Sequence, residues 1–162
     1  MKNKKHLPVY GIGPFLCIPL AVILIIFFTL SIKGKIPSTD FGDMVNSILS
    51  IVGYIIILLG IILCIGADKG KKLKSNIKEN RLKTDGSFRF VRNPRYSTFL
   101  LVEFGLALVC HNLYLLIIPV LFWIEMTIVL KKTEEKWLTE LYGQEYIDYC
   151  KRVNRCIPWI SK

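Results

Sequence analysis

The sequence predicts an all-α, polytopic membrane helical bundle, with about four transmembrane helices, a C-terminal helical hairpin among them and amphipathic helices on the cytosolic side. Three observations carry this expectation. The 162 residues are 52% hydrophobic, with a mean hydropathy of +0.45. Against that, 22 Lys and Arg face 12 Asp and Glu, a formal net charge of +10. The two properties are also segregated: long runs are almost free of charge, and the charges crowd the segments between them. This pattern excludes intrinsic disorder, a secreted disulfide scaffold and an ordinary cytosolic enzyme.

The first run, residues 15–32, has 18 positions without a charge. As a helix it covers roughly 27 Å, close to the ~30 Å thickness of a bilayer core. Lys2, Lys4 and Lys5 precede it, as in a signal peptide, but Ser31-Ile32-Lys33-Gly34-Lys35 has the wrong chemistry for cleavage, so a retained anchor is expected. Residues 45–67 form a second run of 23 uncharged positions, long enough to span with some tilt. Its Ser47, Ser50, Gly53 and Gly60 allow another helix to approach closely.

Residues 97–130 hold only two acids, Glu103 and Glu125, in 34 positions. One continuous helix of that length would measure about 51 Å, too long for a bilayer. The polar pair His111-Asn112 therefore predicts a tight turn between helices at 97–110 and 113–130. His111 is expected to be solvated there, without a metal role. Glu103 and Glu125 are costly at membrane depth and are read as substrate-binding candidates.

Loop charges set the orientation. The N-terminal tail carries 3 Lys, residues 68–96 carry 10 Lys or Arg and the tail after Leu130 carries 7, whereas the 33–44 loop carries 2. An even number of crossings puts 20 of the 22 basic residues on one face, which the positive-inside rule makes cytosolic, with both termini. Most of this charge is explained by topology and by anionic lipid headgroups. No nucleic-acid fold accompanies it, so no nucleic-acid partner is expected. Cys17, Cys64 and Cys110 sit in apolar runs, Cys150 and Cys156 on the reducing side, and no C-x-x-C occurs, so neither disulfides nor a structural metal are expected. Gly11-Ile12-Gly13 is too short for a nucleotide loop, and Trp123, Trp137 and Trp159 read as interfacial anchors. The whole chain, 1–162, reads as a single membrane domain, with 68–96 and 131–162 as its cytosolic segments.

Those two segments are too specific to be linkers. In the first, Asp85-Gly86 marks a tight turn, and Pro94 biases Asn93 away from helix while serving to start the next one. In the second, Trp137, Leu138, Leu141 and Tyr142 share a helical face that Gly143 ends, and Tyr146, Tyr149, Cys150 and Val153 repeat the pattern. Both short helices are expected to lie against the bundle or the membrane surface.

The string Gly86-x-Phe88-Arg89-x-Val91-Arg92-Asn93-Pro94-x-Tyr96 resembles the G-x-Y-R-x-V-R-H-P-x-Y segment of the isoprenylcysteine carboxyl methyltransferase and phospholipid methyltransferase superfamily. The string Glu134-Glu135-x-x-Leu138-x-x-x-Tyr142-Gly143-x-Glu145-Tyr146-x-x-Tyr149-x-x-x-Val153-x-Arg155-x-Ile157-Pro158 is similar to that family's C-terminal E-E-x-x-L-x-x-x-F-G-x-E-Y-x-x-Y motif. The order of motif, hairpin and motif is also shared, over about residues 50 to 158.

The resemblance implies methyl transfer from S-adenosylmethionine in a membrane-embedded bundle, to a lipophilic or small thiol, carboxylate or amine acceptor. It implies a cofactor pocket that includes Leu82, Lys83, Phe88, Asn93, Pro94, Arg95, Tyr96 and Glu134, with Arg92 available to the cofactor carboxylate. Phe88 and Tyr96 offer ring faces to adenine or to the cation. In-line displacement asks the protein for proximity, orientation and a dry pocket, so no catalytic triad or metal is named. Asn93 stands where the family has His, and it can hydrogen-bond but cannot take up a proton near neutral pH. Membrane lipid is the expected surrounding, and the compact size without a targeting signal points to a prokaryotic plasma membrane. Two rivals are a small proton-coupled transporter using Glu103 or Glu125, and a family member that kept the fold for an assembly role without catalysis.

Overall fold

A computed structural model describes residues 13–37, 39–68 and 81–158. Lys2, Lys4, Lys5, Gly11, Ile12, the Lys-rich stretch 69–80 and Trp159 lie outside the described residues. Among the described residues all regular structure is helical: α1 (Gly13–Ile32), α2 (Asp43–Asp68), α3 (Pro94–Val109), α4 (Ile117–Lys132), α5 (Glu134–Tyr142) and α6 (Gln144–Arg152), with 3-10 turns at Gly86–Arg89 and Leu113–Leu116. Two stretches, Asp43–Ala67 and Leu113–Tyr142, are long and apolar enough to cross a membrane. α1 is apolar over the shorter stretch Cys17–Ile32, and α3 has 16 residues.

α3 begins three residues before its apolar run because Pro94 occupies the first helical position, where its missing N–H costs nothing. The chain reverses after Val109: His111 adopts a left-handed φ of 49°, and the Asn112 side chain accepts from the Tyr114 N–H at 3.1 Å. His111, expected to be solvated in the turn, is half-buried there. Its Nε2 lies 2.8 Å from Ser50 Oγ on α2, and its carbonyl accepts from the Thr39 N–H at 2.9 Å. The turn is thereby tied to α2 and to the α1–α2 loop.

α2 and α3 form a close seam of small residues. A Cβ added at Gly53 would fall 2.7 Å from the Gly105 carbonyl oxygen, and one added at Gly105 would fall 2.7 Å from that of Gly53. Only glycine permits such an approach. One helical turn or two along, Thr98 Oγ1 donates to the Gly60 carbonyl at 2.8 Å. Thr98, Leu101 and Gly105 thus face α2. Tyr96, Leu100, Glu103 and Ala107 lie on the opposite side of α3, as the 3.6-residue period requires. That second face meets α4 and the C-terminal segment in a core of Tyr96, Phe122, Met126, Leu130 and Cys156, with Cys17 of α1 and Leu100 packed against it. The outward faces of α1 and α2 are apolar and exposed, Ile25, Ile51, Leu58 and Ile65 among them.

Candidate active site

The two motif segments are far apart in sequence and joined in space. Gly86 takes a φ of 62°, which turns the chain into the 3-10 segment, and Ser87 Oγ donates to the Leu63 carbonyl at 2.8 Å, fixing the turn to the end of α2. The chain then passes from Val91 to Asn93 outside any helix and pairs with the C-terminal segment. The Arg92 N–H donates to the Asn154 carbonyl at 2.8 Å, and the Asn93 N–H to the Arg155 carbonyl at 3.1 Å. Asn93 Nδ2 donates to the same carbonyl at 3.1 Å, and Ser97 Oγ donates to the Cys156 carbonyl. From α6, the Tyr149 hydroxyl donates to the Phe88 carbonyl. Burial keeps the Tyr146 and Tyr149 phenols protonated well above their usual range, so Tyr149 remains a donor at any physiological pH.

Glu135 is the charged centre of this clasp. Its carboxylate accepts from Arg155 Nε at 2.6 Å and Nη2 at 2.9 Å, a bidentate pair. It also accepts from Arg92 Nη1 at 2.9 Å, and all three side chains are largely shielded from water. Sequence reasoning passed over Glu135 and Arg155 as site residues. Their signal was present in the second motif, where an acid of the Glu-Glu pair and an Arg twenty positions later bracket both short helices.

Glu134, the neighbouring acid, points elsewhere. Its Oε1 accepts from the Tyr96 hydroxyl at 3.0 Å, and Tyr96 is itself buried at the head of α3. Seven residues on, on the same face of α3, Glu103 is only 2% exposed. Cys17 of α1 lies within electrostatic reach of both Glu103 and Glu134. Sequence reasoning gave no signal for Cys17, because its place depends on how α1 docks. Tyr96 and Glu134 thus meet at the head of α3, Glu103 is buried two turns farther along the same face, and Tyr96 packs with Phe122 and Met126 in the core that Leu100 borders.

The remaining candidates fall into three places. Leu82 packs on the Tyr146, Tyr149 and Val153 cluster, while Lys83 Nζ lies 3.5 Å from the Ala67 carbonyl and 5.1 Å over the Phe88 ring. These three gather where α2 ends. Arg92, Asn93 and Pro94 are in the clasp, with Arg92 committed to Glu135 rather than open toward a ligand carboxylate. Arg95 is on the exposed side of α3 and Glu125 on the exposed side of α4, whereas Glu103 is buried.

Residues 47–145, more than half of the chain and including most of both motifs, match the phospholipid methyltransferase family. The chain is 27% identical over 85 residues to protein-S-isoprenylcysteine O-methyltransferase B of Arabidopsis thaliana, covering 52% of this chain and 43% of that protein. It is 30% identical over 81 residues to phosphatidylethanolamine N-methyltransferase of Zygosaccharomyces rouxii, covering 50% of this chain and 10% of that protein. The chain thus spans less than half of the length of either relative. No solved structure matches it significantly. With its two motifs clasped around a helical hairpin, the chain belongs to the phospholipid methyltransferase family.

Proposed function

We propose that this protein is an integral-membrane methyltransferase that uses S-adenosylmethionine and methylates a lipophilic or small acceptor. The observation that carries the reading is the clasp, which unites the two motif segments and sets Glu134 against Tyr96 at the end of the bundle. Family membership and the methyltransferase relatives support the reaction class. The exposed apolar faces of α1 and α2 support a bilayer setting, since a water-soluble monomer rarely leaves so much contiguous apolar surface open. Four crossings, with the clasp and both termini on the cytosolic side, follow from loop charge.

The donor set fits this cofactor. Glu134 stands at the head of α3, and farther along the same face Glu103 Oε2 is buried without a hydrogen-bond partner among the described residues, which suits a ligand carrying ammonium and sulfonium charges. When bound, S-adenosylmethionine supplies an electrophilic methyl on a positively charged sulfur. Glu134 would hold the ammonium or a ribose hydroxyl, and the Tyr96 hydroxyl would keep that carboxylate aimed. Leu82, Lys83 and Phe88 would border the adenine. Arg92 would act through Glu135, fixing the clasp. Asn93 spends its amide on the Arg155 carbonyl, which supports a positioning role at this place and weakens the reading in which loss of a titrating His leaves the fold inactive. Leu100, Phe122 and Met126 would exclude water.

Calorimetry on the detergent-solubilised chain tests this directly. Micromolar binding of S-adenosylmethionine and S-adenosylhomocysteine is expected, with at least a tenfold loss in Glu134→Ala. A folded wild-type protein that binds neither ligand would sink the reading.

A further inference from the structure

The clasp carries more positive charge than its own carboxylate balances. Arg92 and Arg155 bring two guanidiniums to the single carboxylate of Glu135, and all three side chains are largely shielded from water. One positive charge is left over in a setting where unpaired charge is costly. Arg92 has donor capacity to match: its side chain is 9% exposed, and its Nε is buried without a hydrogen-bond partner among the described residues. The group set against this guanidinium is a sulfur. Arg92 Nη1 donates to Cys150 Sγ at 2.6 Å, and the Tyr146 side chain hydrogen-bonds with the same cysteine. Burial keeps the Tyr146 phenol protonated, so it donates as well. A neutral thiol is a weak acceptor, whereas a thiolate accepts both bonds and supplies the missing negative charge. The other titratable groups leave this balance standing. Glu135 is shared between the two guanidiniums, Tyr149 stays protonated, and Lys151 and Arg152 of α6 are exposed cations. Cys156, near the same arginines, is 1% exposed, and burial holds it as a thiol.

We propose that Cys150 is a redox-modification site, a thiolate held by Arg92 and Tyr146 that reacts with hydroperoxides and, once oxidised, loosens the clasp. Its side chain is half-buried, which leaves room for a small oxidant and shields it from larger electrophiles. In the step itself the thiolate attacks one peroxide oxygen. An S–O bond forms and the O–O bond breaks. Sulfur gives up two electrons, and the second oxygen leaves with them as hydroxide, which solvent protonates to water. The product is a sulfenic acid, which added thiols return to cysteine. The oxidised sulfur no longer carries the charge that balances Arg92, and its added oxygen occupies space where α6 meets the first motif segment. A clasp loosened in this way would disturb the proposed donor site, but the chemistry at sulfur is independent of the methyltransferase reading.

The test treats the full chain in detergent with hydrogen peroxide, traps sulfenic acid with dimedone and maps the adducts by mass spectrometry. At about pH 7, Cys150 should be trapped on the order of tenfold faster in the folded protein than in the denatured chain, because an ordinary thiol is only a few per cent ionised there. Near about pH 10 the order should reverse, since the denatured thiol is then ionised too and fully open. Tyr146→Phe keeps the ring and removes one donor, and Arg92→Gln removes the cation. Each should slow trapping in the folded protein severalfold, and Tyr146→Phe alone decides the point where Arg92→Gln does not fold. The melting temperature of the peroxide-treated wild type should fall by about 3 °C and recover with dithiothreitol. That of treated Cys150→Ser should stay where it was. A folded protein whose Cys150 reacts no faster than the denatured chain near neutral pH overturns the proposal by making the sulfur an ordinary thiol. Wild-type trapping rates in folded Tyr146→Phe and Arg92→Gln overturn it by removing the donors from the chemistry. Full oxidation of Cys150 without a change in melting temperature overturns the link to the clasp.

Discussion

The α2–α3 seam and the clasp between the motifs hold the molecule together by opposite means. The seam is uncharged and made of glycines whose backbones nearly touch at Gly53 and Gly105. It gains van der Waals contact, the main attraction left between helices when the surroundings are as apolar as the side chains. The clasp is made of backbone bonds, buried hydroxyls and a carboxylate shared by two guanidiniums. It fixes direction and register, and each of its members leaves an unsatisfied partner if removed. The difference shows a division of labour: the seam fixes how close α3 sits, and the clasp fixes which groups face one another at its head.

Breaking the clasp should have the largest effect. Glu135→Ala strands two guanidiniums and is expected to cost about 3 kcal/mol, the low end for a buried pair because the Arg155 side chain is 22% exposed. Thermal melts in detergent would show it, and Glu135→Gln should recover part of the loss. Breaking the seam comes next. Gly105→Leu forces the helices apart and should cost about 2 kcal/mol, whereas Glu135→Ala should leave the α2–α3 spacing unchanged in a cross-link between the two helices. Tyr96→Phe deletes a single bond to Glu134 and should cost about 1 kcal/mol of stability. A fall in S-adenosylhomocysteine affinity beyond that would tie Tyr96 to the ligand as well.

The smallest effect concerns Cys156, which sits under the clasp. Burial pushes its thiol up to about 12. It should therefore resist maleimide at pH 8 in the wild type, because the thiolate is the reactive form. Labelling should appear in Glu135→Ala if the clasp opens. The linked pH effect has a definite sign. The unfolded thiol releases its proton near pH 9 and the folded one near pH 12, so stability falls as pH rises across that window. A wild type labelled as fast as an unfolded control would show that the clasp does not seal this end of the bundle.

Much of this architecture was legible because it is local. Gly86 and Gly143 both take left-handed φ values where turns were expected, and the reversal at His111-Asn112 follows from one polar pair in a long apolar run. The small residues Gly53 and Gly60 marked the helix face that α3 meets. The candidate site was less legible. Leu82, Lys83 and Phe88 do gather, but around each other and the end of α2. Arg92 looked like a ligand for an anion, and the structure gives it an internal carboxylate. Nothing near Arg92 in sequence announces that partner, which lies 43 positions away.

The sequence alone therefore determined the helices, their turns, the small-residue face of α2 and the two motif segments, since each depends on backbone preferences and hydropathy within a few residues. Tertiary structure decided which charges meet. Glu134 and Glu135 are adjacent, yet one faces Tyr96 and the other two arginines. Glu103 and Glu125 are similar acids in similar apolar runs, yet one is buried and the other exposed. Adjacent helical positions point about 100° apart, so the fate of each carboxylate depends on the rotation of its helix against its neighbours, which only packing sets.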